Sequence, residues 1–154
     1  PLYETKDGQY EEHDAIMSDM EAKVTDMHKK VNALHSAKQE LDKILKDIDD
    51  VSLKAEGKKL SEQMDAWDKD MIQRKSKAYD DVENFPNKFS AEYLFLLNAT
   101  SSSIPRVNQS SKDQKTELDE QWQELKSRAE TLIKTGIPDY NKKLWEAGIG
   151  AIRL

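Results

Sequence analysis

The sequence predicts an all-α fold, an antiparallel helical bundle of three long helices and two short helices. Helix-breaking residues are nearly absent between Gln9 and Thr135, where the chain has one glycine and two prolines. Apolar residues recur in that region at alternating spacings of three and four, which is the period of an amphipathic helix. Charged residues make up 35% of the 154 positions and hydrophobic residues 36%, so a single domain can form if the apolar residues share buried faces.

The first helix is expected at about residues 10–48. Its apolar seam runs from Met17 to Ile48 and is interrupted only by Lys38. A seam sustained over four heptads predicts one helix of about 39 residues, roughly 58 Å long at the rise of an α-helix. The segment Asp49–Ser52 is typical of a helix end followed by the cap of the next helix.

The second long helix is expected at about residues 53–84, where an apolar stripe extends from Leu60 to Val82. The connection between the two helices is short, so the second should run antiparallel to the first. Gly57 is a weak spot near its start, and Pro86 ends it, because proline disfavours helical geometry in the residue before it.

A short helix at about residues 88–98 is expected from the most apolar segment of the chain, Phe89–Leu97. Four of its apolar side chains share one face at helical spacing, so the helix is expected to be deeply packed. The polar, serine-rich stretch 98–112 contains a proline and is expected to be an irregular surface loop.

The third long helix is expected at about residues 111–135. Ser111 and Gln114 have the spacing of a capping box at its start. Its apolar seam is Leu118–Leu132, and Gly136 is well placed to end the helix in the left-handed conformation that glycine adopts readily.

The second short helix is expected at about residues 138–147, with a proline in its first turn and Gly148 at its end. The apolar tail 149–154 is expected to dock on the other helices. The predicted domain organisation therefore has two parts. Residues 1–9 lack helical periodicity and form an arm from a preceding domain, and residues 10–154 form a single helical domain.

Composition excludes several classes of function. No stretch of about 18 apolar residues exists, so no membrane span is expected. The absence of cysteine excludes a disulfide framework, a thiol nucleophile and a thiolate metal site. The formal net charge of −6 argues against a general nucleic-acid binder. The sequence also lacks a phosphate-cradling glycine loop, a dinucleotide fingerprint and a Gly-x-Ser-x-Gly motif.

Histidines and carboxylates are the residues that could carry chemistry, and their placement argues against it. His28 and His35 lie seven residues apart, about 10 Å along a helix, which is too far for one metal ion. His13 stands near the frayed start of the first helix. The acidic clusters Asp65–Asp70 and Asp80–Glu83 lie among lysines on polar faces, whereas acid–base catalysis needs carboxyl groups in a water-poor cleft. We therefore expect no catalytic, cofactor-binding or metal-binding residue.

The chain has three tryptophans, and core packing is the first expectation for Trp67, Trp122 and Trp145. Trp145 is the best candidate for an exception, because a late helix with an apolar tail can present it to a neighbouring domain. Two sequons, at Asn98 and Asn108, fall in the predicted loop and matter only in a secreted eukaryotic protein.

Two segments resemble a known family. The run Phe85–Phe89 (FPNKF) is similar to the Tyr-Pro-x-Lys-Leu-Asn signature in the C-terminal helical region of BNR-repeat, sortilin-like glycosyl-hydrolase-type proteins. The run Ile137–Ile149 (IPDYNKKLWEAGI) resembles the closing segment of that family, in which a short helix containing asparagine gives way to glycine and an apolar tail. The order of helices is similar over most of the chain.

The resemblance implies a C-terminal helical domain that follows a large β-propeller in a secreted or envelope-associated bacterial protein. Any hydrolase chemistry would belong to the propeller, and no catalytic residue carries over to this chain. The resemblance gives fold-defining roles to five residues. They are Pro86 as a helix breaker, Lys88 and Asn141 as tethers to backbone carbonyls, Gly148 as a cap, and Pro138.

Three functions remain open at this point. The leading hypothesis is a non-catalytic accessory domain that packs against, or extends from, a partner domain such as the β-propeller. The second is a self-associating coiled-coil module, because the first helix is longer than the third long helix and part of its seam could stay uncovered. The third is a ligand-binding bundle with a pocket beside the serine-rich loop, between Tyr93, Trp122 and Trp145.

Overall fold

The computed structural model describes residues 7–74, 88–103 and 106–154, and this part of the chain is all-α. It has no β-strand, which confirms the predicted fold class. The elements in chain order are α1 (Asp7–Leu45), α2 (Val51–Met71), α3 (Phe89–Ser101), α4 (Gln109–Thr131), a π-helical segment (Leu132–Gly136) and α5 (Ile137–Glu146).

Helix α1 has 39 residues and is therefore about 58 Å long. The apolar residues of its predicted seam are buried at Met20, from Met27 to Leu45 and at Ile48, while Met17 and Val24 are half-buried. Where Lys38 interrupts the seam, the neighbouring Ala37 takes the buried position with 0% exposure. The small side chain of alanine lets the next row of helices approach α1 closely at this point.

Two shorter helices lie one after the other along α1. Helix α2 runs antiparallel to the C-terminal half of α1, as shown by the hydrogen bond of 2.6 Å from Ser61 Oγ to Asp42 Oδ1. Helix α3 contacts the N-terminal half, where His13 Nε2 lies 3.1 Å from the carbonyl oxygen of Thr100. Together α2 and α3 form the second row, and each buries one half of the α1 seam.

The third row consists of α4, the π-helical segment and α5, which follow one another without a break. Helix α4 runs parallel to α1, because its first turns pair with the first turns of α1 through Lys112 with Glu12 and Lys115 with Asp19. It runs antiparallel to α3. The three rows therefore enclose one apolar core that extends along the whole length of α1.

The prediction that the second long helix extends over residues 53–84 is wrong at its C-terminal end. Helix α2 ends at Met71, and Ile72 is extended, with φ −138° and ψ 155°. The chain then turns back, and Arg74 donates two hydrogen bonds of 2.7 and 3.0 Å to the carboxylate of Asp68. This bidentate pair holds the chain after the helix against its last turn. The predicted stop at Pro86 lies outside the described residues.

Two helix boundaries around the predicted loop 98–112 also differ from expectation. Helix α3 continues to Ser101, so the irregular stretch is shorter than predicted. Helix α4 begins at Gln109, and its cap is Asn108, whose Oδ1 accepts a hydrogen bond of 2.8 Å from the backbone N–H of Ser111. The prediction that Ser111 caps the helix is therefore wrong, because the cap lies three residues earlier. At the junction between α1 and α2, Asp50 caps α2.

Gly136 does not end a helix in the left-handed conformation. Its φ is −59°, and the chain continues through the π-helical segment into α5. The wider π turn accommodates Pro138, whose ring and missing N–H would disrupt a regular helix interior. Gly148 does act as the predicted cap. Its φ is +76°, and the adjacent N–H of Ile149 donates a hydrogen bond of 2.8 Å to the carbonyl oxygen of Leu144.

Gly57 is a point of close packing rather than a weak spot. A Cβ atom at this position would lie 2.4 Å from Leu45 Cδ2 and 2.4 Å from Tyr140 Oη. The hydroxyl of Tyr140 also donates a hydrogen bond of 2.8 Å to the carbonyl oxygen of Leu53. A side chain on Gly57 would force α1, α2 and α5 apart where they converge.

We expect Gly57→Ala to destabilise the protein by about 1–2 kcal/mol, because the overpacking cost exceeds the gain in helix propensity. Gly8→Ala is the matched control. Gly8 is also helical, no atom lies within 4 Å of its Cβ position, and its free energy of unfolding should be unchanged or rise by up to about 1 kcal/mol. Urea unfolding measures both. Equal or higher stability for Gly57→Ala would contradict the close contact.

Candidate functional site

Four charged side chains on α1 and α4 form a closed ring of ion pairs. Asp19 Oδ2 lies 2.8 Å from Lys23 Nζ and 2.7 Å from Lys115 Nζ. Asp119 Oδ2 lies 3.1 Å from Lys23 Nζ and 2.6 Å from Lys115 Nζ. Each carboxylate therefore bridges both lysines, and the ring carries no net charge. We refer to these four residues as the charged ring.

Tyr93 ties α3 to the charged ring. Its side chain is fully buried, and its hydroxyl donates a hydrogen bond of 2.8 Å to Asp119 Oδ1. Burial raises the pKa of the Tyr93 phenol well above its usual range, and the hydrogen bond to the Asp119 carboxylate raises it further. The phenol thus stays protonated and serves as a fixed donor.

The charged ring is electrostatically stable at neutral pH. Partial burial acts to raise the pKa of Asp19, but hydrogen bonds from Lys115 and Lys23 outweigh it and lower the pKa below its ordinary value. Burial acts to lower the pKa of Lys115, but its hydrogen bonds to Asp119 and Asp19 outweigh this and raise it. Both shifts favour the charged forms. Asp19 and Lys115 therefore stay charged at neutral pH, as expected of a structural network of ion pairs.

A groove of ≈ 790 Å³ runs beside the ring between α1 and α4. Charges of both signs line it, with Lys30 paired to Asp26 at 2.5 Å and Lys126 lying 3.9 Å from Asp26. The edge of Trp122 forms part of its floor. Three lysines and four carboxylates line the groove, so it has no positive excess that would attract an anion.

The three histidines have different surroundings and are not adjacent in the sequence. His13, expected in a frayed helix start, is instead buried at 7% exposure against Thr100. His28 is exposed, and His35 lies 3.3 Å from the amide nitrogen of Gln39. Within the described ranges, no group of three or more histidine, aspartate or glutamate side chains could hold a metal ion.

The pocket expected between Tyr93, Trp122 and Trp145 does not form. Tyr93 and Trp122 lie in the core, where the ring of Phe89 stacks on Trp122 with centroids 6.2 Å apart. Trp145 is 79% exposed on α5, whose Tyr140 contacts the start of α2. The structure therefore separates Trp145 from the other two aromatic side chains.

Trp67 and Trp122 are core residues, as predicted, with 0% and 2% exposure. The indole N–H of Trp67 donates a hydrogen bond of 2.7 Å to the carbonyl oxygen of Leu125, so its one polar atom is satisfied. Trp145 alone among the tryptophans faces solvent. The prediction that Trp145 is the exception to core packing is confirmed by its exposure.

A clamped tail supports the helix that carries Trp145. The side-chain amide of Asn141 donates a hydrogen bond of 2.9 Å to the carbonyl oxygen of Ile152 and accepts one of 2.7 Å from its N–H. Ile152 is 3% exposed, so the tail docks as predicted and Asn141 is the backbone tether that the resemblance implies. Lys88 directly precedes α3, and its tethering role stays a prediction.

No protein-family model, curated protein or solved structure matches the chain. The resemblance to the helical region of BNR-repeat proteins therefore stays a prediction. Among the helices that the structure describes, none combines the length and the apolar character needed to cross a membrane.

We expect the stability contributed by Asp19 to be lost at acid pH. Because the folded-state pKa of Asp19 lies below its ordinary value of 3.8, the contribution is present above that value and disappears as the pH falls through the folded pKa. Asp19→Asn should therefore lose less stability than the parent between about pH 6 and pH 3. The difference should be about 0.2–1 kcal/mol, since the side chain is 46% exposed.

Urea unfolding at both pH values measures this difference, and Glu21→Gln is the control. Glu21 is exposed on the same helix, so its variant should follow the acid response of the parent protein. An Asp19→Asn variant that loses as much stability as the parent on acidification would show that the charged ring does not stabilise the fold.

Proposed function

We propose that this chain is a non-catalytic helical accessory domain that binds a neighbouring domain through the end that carries Trp145. The observation that carries the proposal is the exposure of this side chain, 79%, on a helix whose opposite face is buried through Ile137, Tyr140 and Leu144. Exposed tryptophans on rigid supports are typical anchors of protein interfaces, because burying one removes a large apolar area from water at little cost in entropy.

Three contacts hold the Trp145 end rigid. Tyr140 fixes α5 to the start of α2, Lys143 pairs with Glu56 at 2.6 Å, and the tail is clamped by Asn141. Leu154, at 58% exposure, adds a second apolar side chain after this clamped tail. A neighbouring domain would thus meet a prearranged surface, which reduces the entropy cost of association.

The Trp145 end is remote from the start of α1. Helix α5 contacts the first residues of α2, which follow the C-terminal end of α1, and the N–H of Arg153 donates to Glu40 in the last turns of α1. The first turns of α1 contact Thr100 and Lys112 instead. A partner bound through Trp145 would therefore contact the opposite end of the bundle from the start of α1.

The resemblance supplies the partner in this proposal, a β-propeller in a secreted or envelope-associated bacterial protein. Support comes from Asn141 and Gly148, which perform the tethering and capping roles that the resemblance implies. Any hydrolase activity would reside in that propeller. Self-association is less favoured, because the α1 seam that it requires is mostly buried between Met20 and Ile48.

We expect Trp145→Ala to weaken binding to the proposed partner, a β-propeller domain of the same parent protein, by at least about tenfold, as hot-spot aromatics do. Titration calorimetry with the two domains as separate polypeptides measures this. Phe95→Ala is the matched control, because Phe95 is 74% exposed on α3, away from α5. Its dissociation constant should stay within about twofold of the parent value.

Two results would contradict the proposal. One is equal weakening by Trp145→Ala and Phe95→Ala, and the other is an absence of binding between the two domains. Sedimentation velocity on the isolated chain at high concentration provides a further check, since a Trp145-dependent homodimer would favour self-association as the function of this surface.

A further inference from the structure

A second groove, of ≈ 420 Å³, lies between the end of α1 and the first half of α2. Lysines line it from both helices, Lys46 from just beyond α1 and Lys54 and Lys58 from α2. We refer to it as the basic groove. In a chain with a net charge of −6, three lysines around one cavity form a local reversal of charge.

Lys54 and Lys58 are one helical turn apart and carry the same charge. Neither forms an ion pair with any residue in the described part of the chain, whereas Lys69, on the same helix, pairs with Asp65 at 2.7 Å. Like charges spaced by four residues destabilise a helix. A ligand with negative charge in the basic groove would relieve that repulsion.

Two carboxylates also line the groove, and one of them is already neutralised. Asp42 accepts hydrogen bonds of 2.7 Å from Lys38 Nζ and 2.6 Å from Ser61 Oγ. These bonds outweigh partial burial and hold the pKa of Asp42 below its ordinary value. Glu62 is the remaining acid. Lys46 also acts on Asp42 electrostatically. Three lysines and two carboxylates thus line the groove, and Asp42 is bonded to a fourth lysine, Lys38, so the excess charge is positive.

Lys54 lies in the first turn of α2, where the backbone N–H groups carry the positive end of the helix dipole. Asp50 caps this end and accepts a hydrogen bond of 3.0 Å from the N–H of Leu53, so the lysines supply most of the positive charge of the groove. The exposed Val51, at 83%, precedes Lys54 by three residues and so lies on the same face of α2. An apolar side chain thus borders the positive surface.

We propose that the basic groove binds a ligand with two or more phosphoryl-type oxyanions, which Lys46, Lys54 and Lys58 contact together. Ammonium groups bind phosphate as compact point charges through charge-assisted hydrogen bonds. A cavity of ≈ 420 Å³ has room for a pyrophosphate-sized group. The same chemistry occurs in soluble phosphorylated compounds and in lipid headgroups, and the test below separates them.

Titration calorimetry with inorganic pyrophosphate at low ionic strength tests the site. The Lys54→Gln/Lys58→Gln variant should bind at least about tenfold more weakly than the parent, because its two charges are lost from the groove. The matched control is Lys29→Gln/Lys59→Gln, which removes the same charge from exposed positions outside the groove. Its affinity should stay within about twofold, and Glu62→Gln should bind more tightly.

Vesicle co-sedimentation separates the two sources of phosphate. Binding to vesicles that contain phosphatidate, but not to purely zwitterionic vesicles, would support a lipid headgroup if Lys54→Gln/Lys58→Gln abolishes it. Binding of pyrophosphate alone would support a soluble ligand. The proposal is overturned if neither probe binds, or if the control variant loses as much affinity as the groove variant, since attraction would then be a property of total charge.

Melting temperatures measured with and without pyrophosphate separate a loss of binding from a loss of folding. Replacing Lys58 alone by glutamine should leave the melting temperature of the free protein unchanged or slightly higher, because it removes a repulsion. The same variant should show a smaller rise in melting temperature on addition of pyrophosphate than the parent. A variant that melts lower, yet gains as much from pyrophosphate, would contradict the proposed contacts.

Discussion

Burial of the α1 seam is the constraint on which the rest of the structure depends. The helix has 39 residues, and neither α2 nor α3 is long enough to cover it. The two therefore lie in succession along it, each covering one half. The third row matches the length of α1 because the π-helical segment joins α4 to α5 without a turn. The core follows this arrangement from Met20 to Ile152.

Polar contacts then determine how the rows align. The charged ring fixes α4 against α1, and Tyr93 extends the same network to α3. The indole of Trp67 joins α2 to α4 through the Leu125 carbonyl. At the other end, Gly57 allows α1, α2 and α5 to meet. These contacts are specific in geometry, so the apolar seams cannot slide along one another, and the position of Trp145 is set by the same alignment.

Periodicity was sufficient to predict the all-α class and the existence of every described helix. It failed where tertiary contacts decide the outcome. Helix α2 ends at a position with no glycine or proline, because Arg74 returns to Asp68. Gly136 stays helical because α5 must continue the third row. Neither feature belongs to the apolar periodicity from which the helices were predicted.

The candidate sites were predictable only in part. Core packing was the first expectation for Trp145, and its exposure depends on the face that α5 buries, through Ile137, Tyr140 and Leu144. The charged ring consists of two pairs at spacing four, Asp19 with Lys23 and Lys115 with Asp119, and each pair is visible in the sequence. The two pairs face each other because α1 and α4 pack in parallel. No local pattern in the sequence predicts that packing.

The start of α1 and the Trp145 end lie at opposite ends of the molecule. The chain has no cysteine, so Ser102→Cys and Glu146→Cys place two spin labels at unique positions beside these ends. Pulsed electron paramagnetic resonance should give a separation of about 45–55 Å, comparable to the length of α1. A separation below about 30 Å would show that α5 lies beside α3 and would contradict the account.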